Sequence, residues 1–388
     1  MQRSERRILT THAGSLPRPA ELTRLFARRS VGESVDEGAI ETQGRAAVRD
    51  IVRRQIETGL DVIDDGEQSR ESFVLYMRRR LTGLGGTGSR PMHSDLDAYP
   101  QYKASFQQRA TTGERVSNRA NLPKAIGAIG YTDPSLIEAE CADFRAALDG
   151  QKGFTEAFLT APSPGIIGSI VQNEHYDSFQ HYLDALGAAL QVEYEAIVRN
   201  GFLLQLDCPD LALERHTSYR DRPLADFRAF VEIVVAAINK ATQNIPREKI
   251  RLHVCWGNYE GPHDHDVALR DILPAILKAK AGAIFLPFAN PRHAHEFRVL
   301  KDIPLAADQL LIAGVIDTLT NFVEHPEVVA DRIERIAGAI GDPRRVIAGT
   351  DCGFDTSAGM GRVTEDVVWA KLRALRDGAE LASTRLYG

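Results

Sequence analysis

Three residues with soft ligand atoms stand where strand-like runs end. His253 and Cys255 flank Val254 in Ile250-Arg251-Leu252-His253-Val254-Cys255-Trp256-Gly257. Cys352 follows Asp351 in Arg345-Val346-Ile347-Ala348-Gly349-Thr350-Asp351-Cys352-Gly353. Side chains at i and i+2 of a strand point to the same side, so His253 and Cys255 can meet one ion. An imidazole with two thiolates is a soft N/S set that favours zinc. Three protein ligands leave one position open, the mark of a catalytic rather than a structural zinc. Such a centre lowers the pKa of a bound thiol, and the thiolate can then attack an electrophilic carbon. For a strand His or Cys taken alone, a place in the core is the commoner explanation. The spacing of the pair, and a third thiol at another strand end, favour the metal.

These residues need a frame that brings positions about a hundred apart to one place. Short β-rich runs alternate with longer amphipathic segments along the chain. The runs are Ile8 to Ser15, Leu60 to Glu67, Ala157 to Pro162, Phe202 to Asp207, Ile250 to Gly257, Ala283 to Phe288, Leu310 to Asp317 and Arg345 to Gly353. Helical patterns cover Glu41 to Thr58, with Gly59 as a stop, and Phe179 to Arg199, ending at Asn200-Gly201. Eight strand–helix alternations predict a closed α/β barrel, a (β/α)8 TIM barrel, as one catalytic domain over 1–388. In such a barrel the C-terminal strand ends converge on one mouth. Ser15, Asp65-Gly66-Glu67, Asp207, His253-Val254-Cys255, Asp317 and Asp351-Cys352 would then be neighbours.

A long insertion separates the second and third runs, from about 70 to 152. It is expected to be a lid or subdomain over the mouth, with an oligomer contact as the other use. Within it, Gly83-Leu84-Gly85-Gly86-Thr87-Gly88 spells G-x-G-x-x-G. Arg78-Arg79-Arg80 precedes it instead of a strand and Ser89-Arg90-Pro91 follows instead of a helix, so it reads as a flexible loop and not a dinucleotide site.

Composition narrows the function classes. The chain has 388 residues, 43% of them hydrophobic, and a net charge of -6 with acids and bases interspersed. No basic block points to nucleic acid. No apolar run approaches the roughly 18 residues of a membrane span. The charged start Met1 to Arg7 leads into too short an apolar stretch for a signal peptide, so a cytoplasmic location is expected. The four cysteines, Cys141, Cys208, Cys255 and Cys352, are not needed as disulfide staples in a chain of this size. Cys141 falls in a helical pattern and reads as inert.

Several of these motifs, in this order, resemble the catalytic barrel of the cobalamin-independent methionine synthase family and its shorter relatives. The resemblance rests on Thr11-His12-Ala13-Gly14-Ser15-Leu16-Pro17-Arg18-Pro19, Gly59 to Glu67, Gln205-Leu206-Asp207-Cys208-Pro209, His253-Val254-Cys255, Asn290-Pro291-Arg292-His293, Gly314 to Asp317 and Asp351-Cys352-Gly353. It implies a zinc held by His253, Cys255 and Cys352, no cobalamin, and methyl transfer to a small thiol such as homocysteine. Ser15, Glu67 and Asp207 carry over as the residues that hold the amino-acid part of the acceptor, with Glu67 and Asp207 as the catalytic carboxylates. Asn290 and Arg292 are expected to orient substrate. The expected partners are a small-molecule thiol and an alkyl donor, with no nucleic acid and no membrane; a homo-oligomer is compatible. A folate donor is compatible with the resemblance but not implied, because the full synthase adds a second barrel.

One position departs from the family pattern. A glutamate that serves as a further zinc ligand is expected three residues before Asn290-Pro291-Arg292-His293, and here it is Pro287. Either water or substrate completes the site, or His293, His295 or Glu296 fills in. The superfamily also holds a zinc enzyme that opens epoxides with a thiol and a metal-free decarboxylase, so an epoxide-opening thiol transferase and a lyase are the rival readings. An accessory or inactive barrel is a third. His263-Asp264-His265 and His293-Ala294-His295-Glu296 read as supporting or surface groups rather than metal sites.

Overall fold

The computed structural model describes residues 1–110, 115–116 and 122–388. In chain order the strands are β1 (Leu9–Thr10), β2 (Val62–Ile63), β3 (Leu84–Gly88), β4 (Leu122–Ala125), β5 (Glu156–Pro162), β6 (Gln172–Asn173), β7 (Leu203–Asp207), β8 (Ile250–His253), β9 (Ala283–Pro287), β10 (Leu310–Ile316) and β11 (Val346–Thr350). Eight of them form a sheet in the order β1-β11-β10-β9-β8-β7-β5-β2, with every pair parallel. This is the expected barrel, nearly closed, with helices between the strands.

The seam between β2 and β1 is closed by one side chain rather than a ladder. Asp61 donates its N–H to Thr10 O (3.1 Å), and its carboxylate accepts from Thr10 N (2.8 Å) and Oγ1 (3.0 Å). Thr11 Oγ1 adds a bond to Val62 O at 2.9 Å. Backbone groups that a short edge strand would leave unpaired are thereby satisfied.

The barrel interior is packed, as in other barrels of this class. Phe158, Leu203, Phe285 and Ile312 fill it together with one cation. The guanidinium of Arg251 donates to Thr11 Oγ1 (3.1 Å) and His12 O (3.0 Å) and lies 3.8 Å from the centre of the Phe158 ring. Burial lowers its pKa to about 9, against the pull of Asp64 and Asp207.

The helices follow their end signals. The helix predicted from Glu41 begins earlier, at Glu37, because Asp36 caps it by accepting from Ala39 N at 3.1 Å. It stops at Gly59, whose φ of 87° is the left-handed terminator. The helix Phe179–Arg199 has its predicted bounds, and Ser178 caps its start. Among the described residues no helix is long and apolar enough to cross a membrane.

The insertion corrects one expectation. Leu84–Gly88 is not a loop but strand β3, antiparallel to β4, which in turn pairs with β6 in a small sheet. The glycines permit close backbone packing: a Cβ on Gly83 would lie 2.5 Å from Ala128 O. A buried charge network ties the segment to the barrel's outer helices. Arg70 Nε donates to Glu140 Oε1 (2.6 Å), Arg80 Nη1 to Glu193 Oε2 (2.7 Å), and Arg80 also to Glu140.

Candidate metal centre

His253 ends β8, Cys255 lies two residues beyond it, and Cys352 two beyond the end of β11. Their ligand atoms all fall within 4.8 Å of one another, and the two sulfurs are 4.0 Å apart. All three residues are buried. His253 Nδ1 faces Asp207 Oδ1 at 3.0 Å. A carboxylate only accepts, so Nδ1 carries a proton and Nε2 is the nitrogen left for a metal. Nε2 lies 3.4 Å from the carbonyl of Asp351, next to Cys352.

The electrostatics of the trio call for positive charge. Burial pulls the His253 pKa down, but the Asp207 hydrogen bond and the charge of Cys255 outweigh it and raise it. The Cys255 pKa falls to about 6, first because the Cys352 thiol donates to it and then through His253. Cys352 is pushed well up by the same sharing and by burial. The pair gives up one proton readily and holds the second, which is the position a cation would take. The donor set therefore fits a zinc ion.

Above the trio lies a cavity of about 230 Å³ lined by His253, Cys255, Cys352, Ser15, Glu67 and Asp207. Of the strand-end residues the sequence placed at one mouth, these six line the cavity, whereas Asp317 and Asp351 line an adjoining recess. Gly14, with φ +118°, turns the chain after β1 so that Ser15 enters the cavity. A Cβ on Gly353 would come within 2.0 Å of Ser15 Oγ, so the turn after β11 that carries Cys352 needs a glycine there. Glu67 holds a left-handed φ of 55° after Gly66. Its Oε1 accepts from Thr160 Oγ1 at 3.1 Å, whereas Oε2 is buried with no hydrogen bond. Burial, and then repulsion from Asp207, push its pKa up to about 8 against Arg18 and Arg70. A cationic group between Glu67 and Asp207 would satisfy that orphan oxygen and relieve the repulsion.

Asn290 and Arg292 are not in the wall of this cavity. They line a small adjoining recess with Cys255, Cys352 and Pro287. Asn290 Nδ2 donates to Asp351 Oδ2 (2.8 Å), and Arg292 Nε to Asn290 Oδ1 (3.1 Å). Asp351 also accepts from the backbone N–H groups of Phe288, Ala289 and Asn290. Pro287, the last residue of β9, brings no ligand. His293 bridges Glu296 and Asp266, and His295 is exposed, so none of the three alternatives supplies a fourth ligand.

Sequence reasoning missed Arg18, which is buried and donates to Glu67 O (2.9 Å) and to the backbone and carboxylate of Asp355. Its place inside the Thr11 to Pro19 motif was the available signal. It also missed Asp266 and His216. Asp266 is the last acid of a His-Asp-His-Asp run, but His216 has no sequence signal at all. Cys141 and Cys208 are buried free thiols. Burial raises the Cys141 pKa to about 12, as suits an inert core residue.

Fold and site together define an eight-stranded α/β barrel with a soft N/S donor set at its mouth. Residues 8–112 match the family described as cobalamin-independent synthase, catalytic domain. A protein named methionine synthase from Thermococcus kodakarensis is 26% identical over 348 residues, covering 89% of this chain and 86% of that protein. The uncharacterized protein YxjG of Bacillus subtilis is 24% identical over 392 residues, covering 96% and 94%. A B12-independent methionine synthase from Shewanella sp. W3-18-1, solved in complex with selenomethionine, has the same fold, with a TM-score of 0.72 over 98% of this chain and 99% of that one at 20% identity. In sequence the chain is similar to the cobalamin-independent methionine synthases, and it shares their barrel fold.

Proposed function

We propose that this chain is a zinc-dependent transferase that moves a methyl group to a small thiol, with homocysteine as the acceptor its relatives suggest. The observation that carries this reading is the meeting of His253, Cys255 and Cys352 with Ser15, Glu67 and Asp207 around one cavity. A zinc ion held by His253, Cys255 and Cys352 would supply a lowered thiol pKa at its open position.

The chain's own groups do the rest. Glu67 and Asp207 bind the acceptor's ammonium group, and Glu67 holds or releases a proton on Oε2 as that charge arrives. Ser15 Oγ–H donates to the acceptor's carboxylate. Asp207 also fixes the His253 ring through Nδ1. Phe73, Phe106, Ile166 and Leu213 line the cavity and exclude water from the transfer. The insertion contributes Arg90, His93 and Phe106 to the wall and acts as the lid. In the transfer the acceptor thiol loses its proton to solvent, its sulfur lone pair forms the new S–C bond, and the donor's leaving group keeps the electron pair of the broken bond. Opening an epoxide with the same thiolate is the second reading, favoured by Pro287 in place of the family's carboxylate.

The test is reconstitution. Chelator-stripped protein is given zinc, homocysteine and a panel of methyl donors, and methionine is measured by mass spectrometry. Activity should return with one equivalent of zinc at the thiolate site and vanish in Cys255→Ser and Cys352→Ser. Protein that takes up no zinc at the thiols after reconstitution would end the thiol-activation mechanism.

A further inference from the structure

Behind Tyr259 and Trp256 lies a second group of ligand-type side chains that the transfer reaction does not use. His216, His263 and Asp266 place their ligand atoms within 4.8 Å of one another. The three come from the loops after β7 and β8, and their side chains are at most 7% exposed.

Hydrogen-bond directions show what the group lacks. His263 Nε2 lies 3.0 Å from Tyr259 O, and a carbonyl only accepts, so Nε2 carries the proton. Nδ1 faces both oxygens of Asp266, Oδ1 at 3.0 Å and Oδ2 at 3.1 Å, so a metal ion at this point would take the place of a proton on Nδ1. His216 Nδ1 is 3.2 Å from the same oxygen but is not aligned for a hydrogen bond, and neither ring nitrogen of His216 makes one. The other oxygen, Oδ2, is engaged by His293 Nε2 at 2.9 Å and lies 3.7 Å from Arg292 Nη1. His293 donates from Nδ1 to Glu296 Oε2 at 2.7 Å, so it serves as a bridging cation. His216 is thus left with both ring nitrogens unpaired while buried beside a carboxylate, where a cation would satisfy it.

The backbone is held for the purpose. His263 adopts φ 56°, uncommon for a residue with a side chain. The Asp95 carboxylate fixes it by accepting His263 N–H (2.9 Å) and Tyr259 O–H (2.7 Å). Strain maintained by surrounding contacts is typical of ligand-binding positions.

We propose that His216, His263 and Asp266 form a second metal site, for a divalent first-row transition ion of the zinc class. Two imidazoles and a carboxylate suit such ions, and His293 on Asp266 Oδ2 is the usual outer support. The ion would pin the loop from Cys255 to Asp266, and so the thiol that begins it. The inference stands apart from the methyl-transfer reading, because none of its ligands is a thiol and its test reads the two centres separately.

Cobalt(II) separates the two centres by spectrum. Stripped full-length protein is titrated with Co²⁺, following thiolate charge transfer in the near ultraviolet and d–d bands in the visible. Wild type should bind two equivalents, only one of them with thiolate charge transfer. Cys255→Ser/Cys352→Ser should keep one equivalent with d–d bands alone, and Asp266→Asn should lose that one while keeping the thiolate signal. A wild type that binds a single, thiolate-ligated equivalent overturns the proposal, even if a variant fails to fold. If the thiolate site fails and the N/O site binds, the wild type shows one equivalent with no charge transfer.

Discussion

His253 Nδ1 and Asp207 Oδ1 are 3.0 Å apart, and that bond settles which imidazole nitrogen can meet a metal. Asp207 therefore works in two directions, toward the ring and toward the cavity. In Asp207→Ala the ring loses its tautomer lock, and zinc affinity should fall by about 10–100-fold. Competition against a coloured chelator measures it. Unchanged affinity would remove the orienting role.

Glu67 links stability to pH. Its folded pKa rises from 4.5 to about 8, so the folded state keeps a proton that the unfolded chain gives up. The stability this protonated form contributes is complete below pH 4.5 and is lost as pH rises through 8. Glu67→Gln cannot ionise and should lack that loss. Urea denaturation of both proteins between pH 5 and 9 should show the variant gaining on wild type as pH rises. A constant gap would mean that Glu67 is already ionised at pH 5.

Gly353 and Ser15 are in direct competition for space. In Gly353→Ala the new methyl group meets Ser15 Oγ and forces the serine to another rotamer. Overpacking of this kind costs about 1–3 kcal/mol. If Ser15 holds the acceptor's carboxylate, KM for the thiol acceptor should rise with little change in kcat. A lower Tm with an unaltered KM would leave Ser15 without that task.

Within the insertion, Glu140 is held between Arg70 and Arg80. Burial works against its ionisation, but the two guanidinium groups outweigh it and hold its pKa near about 2. The stability this gives is present above pH 4.5 and is lost as pH falls toward 2. Glu140→Ala leaves buried guanidinium charge with one partner fewer, and about 3–5 kcal/mol of stability should go. Chemical denaturation at pH 7 and pH 3 checks both points, with a smaller difference expected at the lower pH.

Pro287 stands where the resemblance leads one to expect a ligand carboxylate. Pro287→Glu should add a fourth protein ligand to the thiolate site, raising zinc affinity and adding a light scatterer at the metal in X-ray absorption. An unchanged spectrum would show that the end of β9 does not reach the ion.

The periodic elements and their strand-end chemistry were legible in the linear chain. Hydrophobic runs such as Leu203–Asp207 and Leu310–Ile316 are buried on both faces and read as strands wherever they occur. His253, Cys255 and Cys352 could be paired because a parallel barrel sends every C-terminal strand end to one mouth. The glycine-rich Leu84–Gly88 misled because its strand character comes from its partner Leu122–Ala125 and not from its own side chains. Asn290 and Arg292 share a motif with the site but face the recess, because Asp351 draws the whole turn toward its carboxylate. The His216, His263 and Asp266 group was out of reach for a different reason. Its members lie on separate loops whose directions no period dictates, and only packing against Tyr259 and Asp95 brings them face to face.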